Sequence, residues 1–560
     1  MHEPFQGRYS SLLSRLLLAR GIADVESAER FLHPDYARDI GDPFGIMGME
    51  RAVERILRAI TDRESIVIFG DYDCDGIPGS VVLHDLFKKI GYDRVRNYIP
   101  HRHHEGYGLN AAAVEGFGKD GVTLLITVDC GITDVEEVAL ANTLGIDVIV
   151  TDHHLPQAVL PPAYVILNSK QEDDTYHDDM LCGAAVAWKL ASAILARGKF
   201  EHIPEGWEKW LLDMAGLSTV ADMVPLVREN RAIAHFGLTV LRRSRRPGLA
   251  ALLAKARTDQ RGLTEDDIGF TIAPRINAAS RMDIPMNAFL MLSSGDPAEA
   301  TALAHRLHAL NDERKALVAR IMKEARGRLA EREEIPPVLV IGSPSWPVGV
   351  VGIVANQLAE AFERPTFVWG KEGTEKAKGS CRSDGTVNIV ELMLAAEDGV
   401  FADRGGHEFS GGFSLAPDGV HHLEAVLVSA LERVPRKAWN AGAREPDAEL
   451  SIADVNWQTY REIAQLAPFG VGNPKPLFAF PDAIVRSVAS FGKAGDHTRL
   501  ALEGVGGAKA EAIGFFMTPD DLGLADVETP RPFRVTGHLE ASTFRGRPEL
   551  RIRIADGSRR

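Results

Sequence analysis

Residues 70–76 (GDYDCDG) constrain the fold of this chain most strongly, because they place three aspartates directly behind the apolar run Ile66–Phe69. Residues two apart in extended backbone point to the same side, so Asp71, Asp73 and Asp75 are predicted to converge. Two unit charges 4 Å apart repel by roughly 4 kcal/mol at an effective dielectric of 20. A polar turn could use glycine or a single aspartate, whereas three converging carboxylates favour a bound divalent cation.

Composition limits the classes of protein that need to be considered. The chain has 560 residues and is 45% apolar and 25% charged, which predicts a soluble globular protein of three or four domains. Its net charge of −15 argues against nonspecific coating of nucleic acid but allows a local basic groove. Its four cysteines form no C-x-x-C pair. No apolar run approaches the ~20 residues needed to span a bilayer, and no signal-peptide pattern is present. A cytoplasmic protein without a membrane segment is therefore expected.

Apolar runs alternate with helical stretches after residue 60, which predicts a parallel, doubly wound α/β sheet. The predicted strands are Ser65–Gly70, Val95–Ile99, Val122–Asp129, Ile146–Thr151 and Tyr164–Asn168. The predicted domains are an N-terminal helical segment packed on the catalytic domain (1–60), the catalytic α/β domain (61–295), a connecting helix (296–335), a second α/β domain (336–440) and a small β-barrel (449–560).

Further acids and imidazoles follow the predicted strands. Asp129 ends one buried strand, and Asp152, His153 and His154 end the next. Parallel sheets bind ligands at the carboxyl ends of their strands, so these groups are expected to meet the three aspartates. Carboxylates with one or two imidazoles suit Mn²⁺ or Mg²⁺ better than Zn²⁺. Two such ions support in-line phosphoryl displacement by water, and the residues therefore predict metal-dependent phosphoester hydrolysis.

These three stretches resemble the first three motifs of the DHH phosphoesterase superfamily, and residues 218–226 (STVADMVPL) resemble the fourth, which supplies Asp222. Within the superfamily, the chain resembles the RecJ-type single-strand-specific exonucleases. The stretches that carry this resemblance are 105–109 (EGYGL), 274–282 (PRINAASRM), 379–383 (GSCRS), 405–407 (GGH) and 468–474 (PFGVGNP). The resemblance implies a DHH catalytic domain, a DHH-associated nucleic-acid-binding domain and a C-terminal OB-fold.

The resemblance also implies an activity, which is 5′–3′ hydrolysis of single-stranded DNA to 5′-mononucleotides in recombination and repair, with two Mn²⁺ or Mg²⁺ ions. The implied metal ligands are Asp71, Asp73, Asp75, Asp129, His153 and Asp222. Asp129 would bridge the two ions, and the ligand role of Asp71 stays open. His154 would face the scissile phosphate, and Asp152 would orient the histidines.

Contacts to DNA follow from the same resemblance. The implied phosphate-binding residues are Arg102, Arg275, Arg281, Ser380, Arg382, Ser383, Gly406 and His407. Arginine suits bidentate phosphate contacts, and glycine lets backbone amides approach. Pro347 after Trp346, and Ser280, depart from the family pattern and leave the grip on the DNA end open. Arginines around Phe533 and Phe544 suit either single-strand binding or a solvated strand face.

Two alternative functions remain at this point. One is a DHH phosphoesterase acting on short oligonucleotides or cyclic dinucleotides, although such relatives are shorter and lack the barrel. The other is a catalytically inactive RecJ-like replication scaffold, although such relatives lose motif acids that this chain keeps. Single-stranded DNA is the expected partner, a helicase or single-strand-binding protein is a candidate partner, and a monomer is expected.

Overall fold

The structure is a computed structural model that describes residues 5, 7–372, 376–397, 399–437, 445–492, 495–525, 530–542 and 548–558. The chain divides into two compact units. One consists of Asp42–Val224 and Phe236–Asn440, and the other of Met1–Gly41, Pro225–His235 and Ala441–Arg560. Among the described residues, no helix has the length and apolar character needed to cross a membrane.

Three short helices open the chain, and each begins at a polar capping residue. They are α1 (Ser11–Leu18), α2 (Val25–Leu32) and α3 (Tyr36–Asp39). The side chains of Ser10, Asp24 and Asp35 accept hydrogen bonds from backbone N–H groups three residues further on. Such caps satisfy amides that would otherwise have no partner in the first turn.

A parallel five-stranded sheet follows, which confirms the predicted doubly wound fold. Its elements are α4 (Met49–Thr61), β1 (Ile66–Gly70), α5 (Gly76–Ile90), β2 (Val95–Tyr98), α6 (Ala111–Lys119), β3 (Leu124–Val128), α7 (Val135–Thr143), β4 (Asp147–Thr151) and β5 (Val165–Leu167). The strand order is β2-β1-β3-β4-β5. Every residue of β1 and β3 is buried, as expected when both faces of a sheet are covered. The order reverses beside β1, so a ligand crevice is expected at the carboxyl ends of β1 and β3.

Helices then lead to a second, mixed sheet. The helices are α8 (Gly183–Arg197), α9 (Leu212–Ala221), α10 (Arg228–Leu241), α11 (Pro247–Ala256), α12 (Glu265–Asp267), a π-helical turn (Ile268–Ile272), α13 (Ala273–Met282), α14 (Met286–Ser293) and α15 (Pro297–Ala330). The long helix α15 occupies the predicted connector. The elements after it are β6 (Leu339–Pro347), α16 (Val348–Phe362), β7 (Thr366–Glu372), β8 (Lys378–Arg382), α17 (Ile389–Leu394), β9 (Phe401–His407), β10 (Ser410–Leu415) and α18 (Gly419–Leu431). The second sheet has the order β6-β7-β8-β10-β9.

The C-terminal strands form a barrel. The elements are β11 (Ala448–Glu449), α19 (Trp457–Ala464), β12 (Phe478–Phe480), β13 (Ile484–Phe491), β14 (His497–Glu503), β15 (Lys509–Gly514), β16 (Arg531–Pro532), β17 (Arg534–Ser542) and β18 (Glu549–Ser558). Their order is β11-β12-β17-β18-β15-β14-β13-β16. Only Phe533 separates β16 from β17, so the sheet returns to its own strand and closes. Short 3₁₀ turns occupy Pro43–Gly45, Trp207–Leu211, Gln260–Gly262, Ile452–Asp454 and Val505–Gly507.

The N-terminal helices correct one prediction. We predicted that residues 1–60 pack on the catalytic domain, but Met1–Gly41 belongs to the unit of the barrel. Leu16 and Leu17 share one hydrophobic core with Phe478 and Phe480 of β12. Amphipathic periodicity shows that one face of a helix is buried, but it does not show which apolar surface covers that face.

This packing predicts a local effect of one core substitution. Leu16→Ala removes a fully buried side chain and should destabilise the barrel unit by about 2–5 kcal/mol. Hydrogen exchange should therefore accelerate in peptides that contain Phe478–Phe480. Leu18→Ala, on the same helix, is the matched control because Leu18 is 43% exposed. Equal exchange in the two variants would contradict the assignment of α1 to the barrel core.

Candidate metal centre

The first three aspartates occupy the turn between β1 and α5. Asp71 and Asp75 are buried and Asp73 is half-buried. Asp73 Oδ1 accepts the N–H of Asp75 at 2.7 Å, which closes the turn. Glycine is required at position 76, because a Cβ atom there would lie 2.5 Å from the backbone of Asp71. The turn therefore brings the acids close together through tight backbone packing rather than through a fully extended segment.

Asp129 directly follows β3 and has an unusual backbone conformation. Its φ is +62°, in the left-handed region that side chains other than glycine seldom adopt. The N–H of Asp129 donates to Thr151 O at 2.9 Å, so the neighbouring strand holds this backbone. Gly183, at the start of α8, packs so tightly that a Cβ there would lie 2.6 Å from Asp129 Cβ. Residues with such backbone conformations cluster at functional sites, and aspartate adopts this region more readily than most residues.

The structure brings all six predicted metal ligands together. Their ligand atoms form groups within 4.8 Å of one another, which are Asp71 with Asp73 and Asp129, Asp75 with His153 and Asp222, and Asp129 with His153 and His154. His153 Nε2 lies 3.1 Å from Asp129 Oδ1 and 3.6 Å from Asp75 Oδ2. Asp129 belongs to two of the three groups, and one of these shares His153 with the group of Asp75 and Asp222.

The helix α8 stabilises one of these carboxylates directly. Asp75 accepts the N–H groups of Gly183 and Ala184 at 2.6 and 2.8 Å. These amides belong to the first turn of α8, where backbone N–H groups lack partners within the helix and favour negative charge. Asp75 is thereby fixed in orientation, while each of its oxygens keeps a lone pair for a cation.

The electrostatics of the cluster fit a divalent cation. Burial, followed by repulsion from neighbouring aspartates, raises the pKa of Asp75 to about 6 and that of Asp222 to about 9. The same causes raise the pKa values of Asp71 and Asp129 well above the usual range. Asp71 Oδ1 is buried and has no hydrogen-bond partner among the described residues. Carboxylates with neutral imidazole suit Mn²⁺ or Mg²⁺, and cation binding would displace the protons.

Asp152 orients the two histidines. Its Oδ1 accepts the N–H groups of His153 and His154 at 2.7 and 3.1 Å and lies 2.8 Å from His154 Nδ1. Burial acts to lower the pKa of His154, but the hydrogen bond and charge of Asp152 outweigh it and raise that pKa. Burial lowers the pKa of His153 to about 3, which keeps its imidazole neutral, as a metal ligand must be. The geometry agrees with the predicted role of Asp152.

Two residues beside the centre had no predicted role. The hydroxyl of Tyr107 donates to Asp129 O at 3.1 Å and lies 3.1 Å from His154 Nδ1. Lys170 follows β5, and its Nζ donates to His153 O. Tyr107 lies within residues 105–109, which resemble a family motif. Lys170 follows the last predicted strand of the parallel sheet, which ends at the same edge. The sequence therefore contained a signal for each residue.

Arginines lie at the Asp71–Asp73 side of the centre. The Arg102 guanidinium lies 4.7 Å from the ring of Tyr72. Burial, followed by the charges of neighbouring arginines, lowers the pKa of Arg281 to about 9. Those arginines are Arg102, Arg314 and Arg382. Cations that repel one another in this way favour a bound anion between them.

The predicted phosphate-binding residues of the second sheet have different neighbours: His407 lies beside His154, whereas Ser380 and Arg382 lie beside α16. His407 stacks on His154, with ring centroids 6.3 Å apart and an interplanar angle of 16°. Ser380 and Arg382 face α16, where a Cβ on Gly352 would lie 3.2 Å from Ser380 Oγ and 3.4 Å from Arg382 Nη2. Gly406 has a φ of +146°, and a Cβ there would lie 2.4 Å from Ser410 O.

Arg275 and Ser383 are also predicted phosphate-binding residues, but their side chains donate hydrogen bonds to other groups of the protein. Arg275 donates to His308 Nδ1 at 3.2 Å and to Thr271 O at 2.6 Å. The Ser383 hydroxyl donates to Val387 O at 2.5 Å within its own loop. Among the described residues, no hydrogen bond joins either side chain to the acid cluster, so their phosphate contacts stay predictions.

Comparisons with known proteins match the chain to one family. The DHH family, N-terminal domain, matches residues 65–219, the DHHA1 domain matches 336–433, and the RecJ OB domain matches 446–556. The single-stranded-DNA-specific exonuclease RecJ of Bacillus subtilis is 37% identical over 98% of this chain and 68% of its own length. That of Escherichia coli is 31% identical over 97% of this chain and 95% of its own length.

Solved structures show the same similarity. A crystal structure of RecJ in complex with Mn²⁺ from Thermus thermophilus matches with a TM-score of 0.80 and 28% identity, covering 98% of this chain and 76% of that chain. A structure of exonuclease RecJ bound to manganese matches with a TM-score of 0.61 and 32% identity, covering 70% of this chain and 96% of that chain.

The raised pKa values predict how stability depends on pH. An acid whose pKa is raised in the folded state stabilises that state below its unfolded pKa of about 3.9, and this contribution is lost as pH rises through the folded pKa. For Asp75 and Asp222 the folded values are about 6 and about 9. Without divalent cations, the melting temperature should therefore fall between about pH 4 and pH 9.

Mn²⁺ binds the ionised carboxylates, so the increase in melting temperature that it causes should grow over the same pH range. Differential scanning fluorimetry with EDTA and with Mn²⁺ measures this increase. Asp222→Asn cannot ionise and should flatten the dependence above about pH 7. An increase that is constant from about pH 5 to pH 9 would contradict the account.

Proposed function

The chain belongs to the RecJ family of single-stranded-DNA-specific exonucleases, and we propose that it removes 5′-mononucleotides from single-stranded DNA in the 5′–3′ direction with two divalent cations. The observation that supports this most strongly is the position of Asp129 in two adjoining ligand groups, with arginines beside them. The proposal extends to a role in recombination and repair, to a helicase or single-strand-binding protein as partner, and to a cytoplasmic monomer.

The residues divide into two ion positions. Asp71, Asp73 and Asp129 would hold one ion, and Asp75, His153 and Asp222 would hold the other, with Asp129 shared. Bound Mn²⁺ or Mg²⁺ supplies Lewis-acid activation and stabilises charge on the phosphate. The hydrogen bond from the Asp129 N–H to Thr151 O would hold this carboxylate in place between the two positions.

His154 and its partners would stabilise charge on the scissile phosphate. Asp152 lies at Nδ1 of His154, which leaves Nε2 for the substrate. The raised pKa of His154 favours a protonated ring that can donate to a phosphate oxygen. The ring of His407 stacks on the ring of His154, and His407 would contact the same phosphate group. Arg102, Arg281 and Arg382 would bind neighbouring phosphates of the strand.

A surface of the barrel supports a polymeric substrate over a short oligonucleotide. We call it the aromatic patch, and it consists of Phe491, His497, Phe515 and Phe516 with Arg499, Arg551 and Arg553. The Arg499 guanidinium lies 5.7 Å from the Phe491 ring, and that of Arg551 lies 5.4 Å from the Phe515 ring. Phe516 is exposed and the other three rings are half-buried. Accessible rings with arginines are typical of surfaces on which bases of a single strand stack.

The aromatic patch differs from the residues that the sequence suggested. Phe533 is fully buried in the barrel core and Phe544 lies outside the described residues. Phe516, in contrast, is 80% exposed. The barrel therefore presents aromatic rings to solvent, but mainly from β13, β14 and the segment after β15.

The metal assignment predicts the effect of one substitution. Asp129→Ala removes the shared carboxylate and should lower kcat by roughly 10²–10³-fold or more. Binding of single-stranded DNA at low salt should persist, because the arginines remain. Digestion of 5′-labelled and 3′-labelled strands with Mn²⁺, beside a blunt duplex, measures the rate, direction and strand specificity together.

Asp173→Ala is the control, since Asp173 is exposed and lies outside the ligand groups. Near wild-type cleavage by Asp129→Ala would contradict the assignment of Asp129 to both ions. Cleavage from the 3′ end by the wild-type protein would contradict the proposed direction.

The aromatic patch predicts a dependence on strand length. Phe516→Ala should raise KM about fivefold or more for a strand of about 40 nucleotides and leave KM for a strand of about four nucleotides unchanged, because a long strand offers more bases for stacking than those at the cleaved end. Val505→Ala, at an 82% exposed apolar residue of the same barrel, is the control. An equal effect of Phe516→Ala on both strands would contradict a role of the ring in binding bases away from the cleaved end.

A further inference from the structure

Lys170 is held beside the metal centre by a short, tightly bonded turn. β5 ends at Leu167, and Asn168 is completely buried directly after it. The side chain of Asn168 donates to His154 O at 2.8 Å and accepts the N–H of Lys170 at 2.9 Å. The turn after β5 is thus hydrogen-bonded to the segment that carries the histidines, and the backbone of Lys170 is fixed relative to them.

The ammonium group of Lys170 uses only part of its hydrogen-bonding capacity. Its Nζ donates to His153 O, and the side chain is half-buried. Within the part of the chain that the structure describes, Nζ makes no ion pair within 4.0 Å. An ammonium group has three N–H donors, so two of them have no protein acceptor. Half-buried donors without acceptors favour a ligand that supplies oxygen atoms.

The charges around Lys170 place it on a different side of the centre from the arginines. Burial lowers the pKa of Lys170, and the carboxylates of Asp222, Asp179 and Asp152 oppose this effect. The charge of Lys170 also acts on His407, where burial, His154 and Lys170 together lower the pKa. Arg102, in contrast, acts on Asp71. Lys170 therefore lies toward Asp222 and the two stacked histidines.

We propose that Lys170 donates a hydrogen bond to a non-bridging oxygen of the scissile phosphate, which makes it a further substrate-contacting residue of the centre. This inference rests on the proposed phosphodiester hydrolysis. When cations occupy the carboxylates, the charge of Lys170 is available to an anion, and the phosphate that lies against His154 and His407 is the nearest one expected. Cations would then bind the substrate from both sides, with arginines along the strand and Lys170 at the reacting group.

The test compares Lys170→Met with Lys170→Arg and with the exposed-lysine control Lys199→Met. Loss of a charge-assisted hydrogen bond should lower kcat of Lys170→Met by about 10–100-fold at saturating Mn²⁺. Lys170→Arg should recover part of this loss, and Lys199→Met should match the wild type. Wild-type cleavage in the same assay establishes the proposed function separately from the role of Lys170.

Two further measurements distinguish a contact between Lys170 and the substrate from a purely structural role of Lys170. Mn²⁺ titration should give dissociation constants within about twofold of the wild type, because the metal ligands are unchanged. A substrate with a single-diastereomer phosphorothioate at the terminal linkage should be cleaved more slowly than the phosphate by the wild type, and for one diastereomer this ratio should shrink in Lys170→Met. Weakened Mn²⁺ binding with full recovery of kcat at high Mn²⁺, or an unchanged ratio for both diastereomers, would overturn the proposal.

Discussion

The mutual repulsion of buried carboxylates is the constraint on which the rest of this structure depends. Asp71, Asp75 and Asp129 are almost completely removed from solvent, and their pKa values are all raised. The fold tolerates this arrangement because the N-terminus of α8 binds Asp75 and because the acids can share cations. The left-handed backbone at Asp129 and the close approach of Gly183 keep this group of carboxylates compact.

Cationic side chains surround the acidic metal centre on more than one side. Asp152 lies outside the ligand groups and instead fixes the orientation of the histidines. Arg102, whose charge helps to lower the pKa of Arg281, acts on Asp71, and Lys170 lies toward Asp222. Within the described residues these cations form no ion pair with a carboxylate, so a polyanion is a natural partner for them. A protein with a net charge of −15 can thus bind DNA through a small, locally basic surface.

The sequence was sufficient for features that reside in contiguous patterns. The parallel sheet followed from apolar runs that alternate with helical periodicity. The meeting of the acids and imidazoles at one edge of this sheet followed from their positions at strand ends. Contacts between distant segments could not be predicted in this way. The packing of α1 on β12, the turn that fixes Lys170 and the hydrogen bond of Tyr107 to Asp129 O depend on which surfaces meet. Phe533 shows the same limit, because burial inside a closed barrel depends on strand register rather than on local composition.

Two divalent cations that share the carboxylate of Asp129 are the basis of the proposed activity. Anomalous diffraction at the manganese absorption edge, from crystals of the wild-type protein grown with Mn²⁺, locates these ions. Two manganese peaks about 3.5–4 Å apart, both in contact with Asp129, are expected. A single peak, or two peaks of which only one contacts Asp129, would contradict the sharing of this carboxylate.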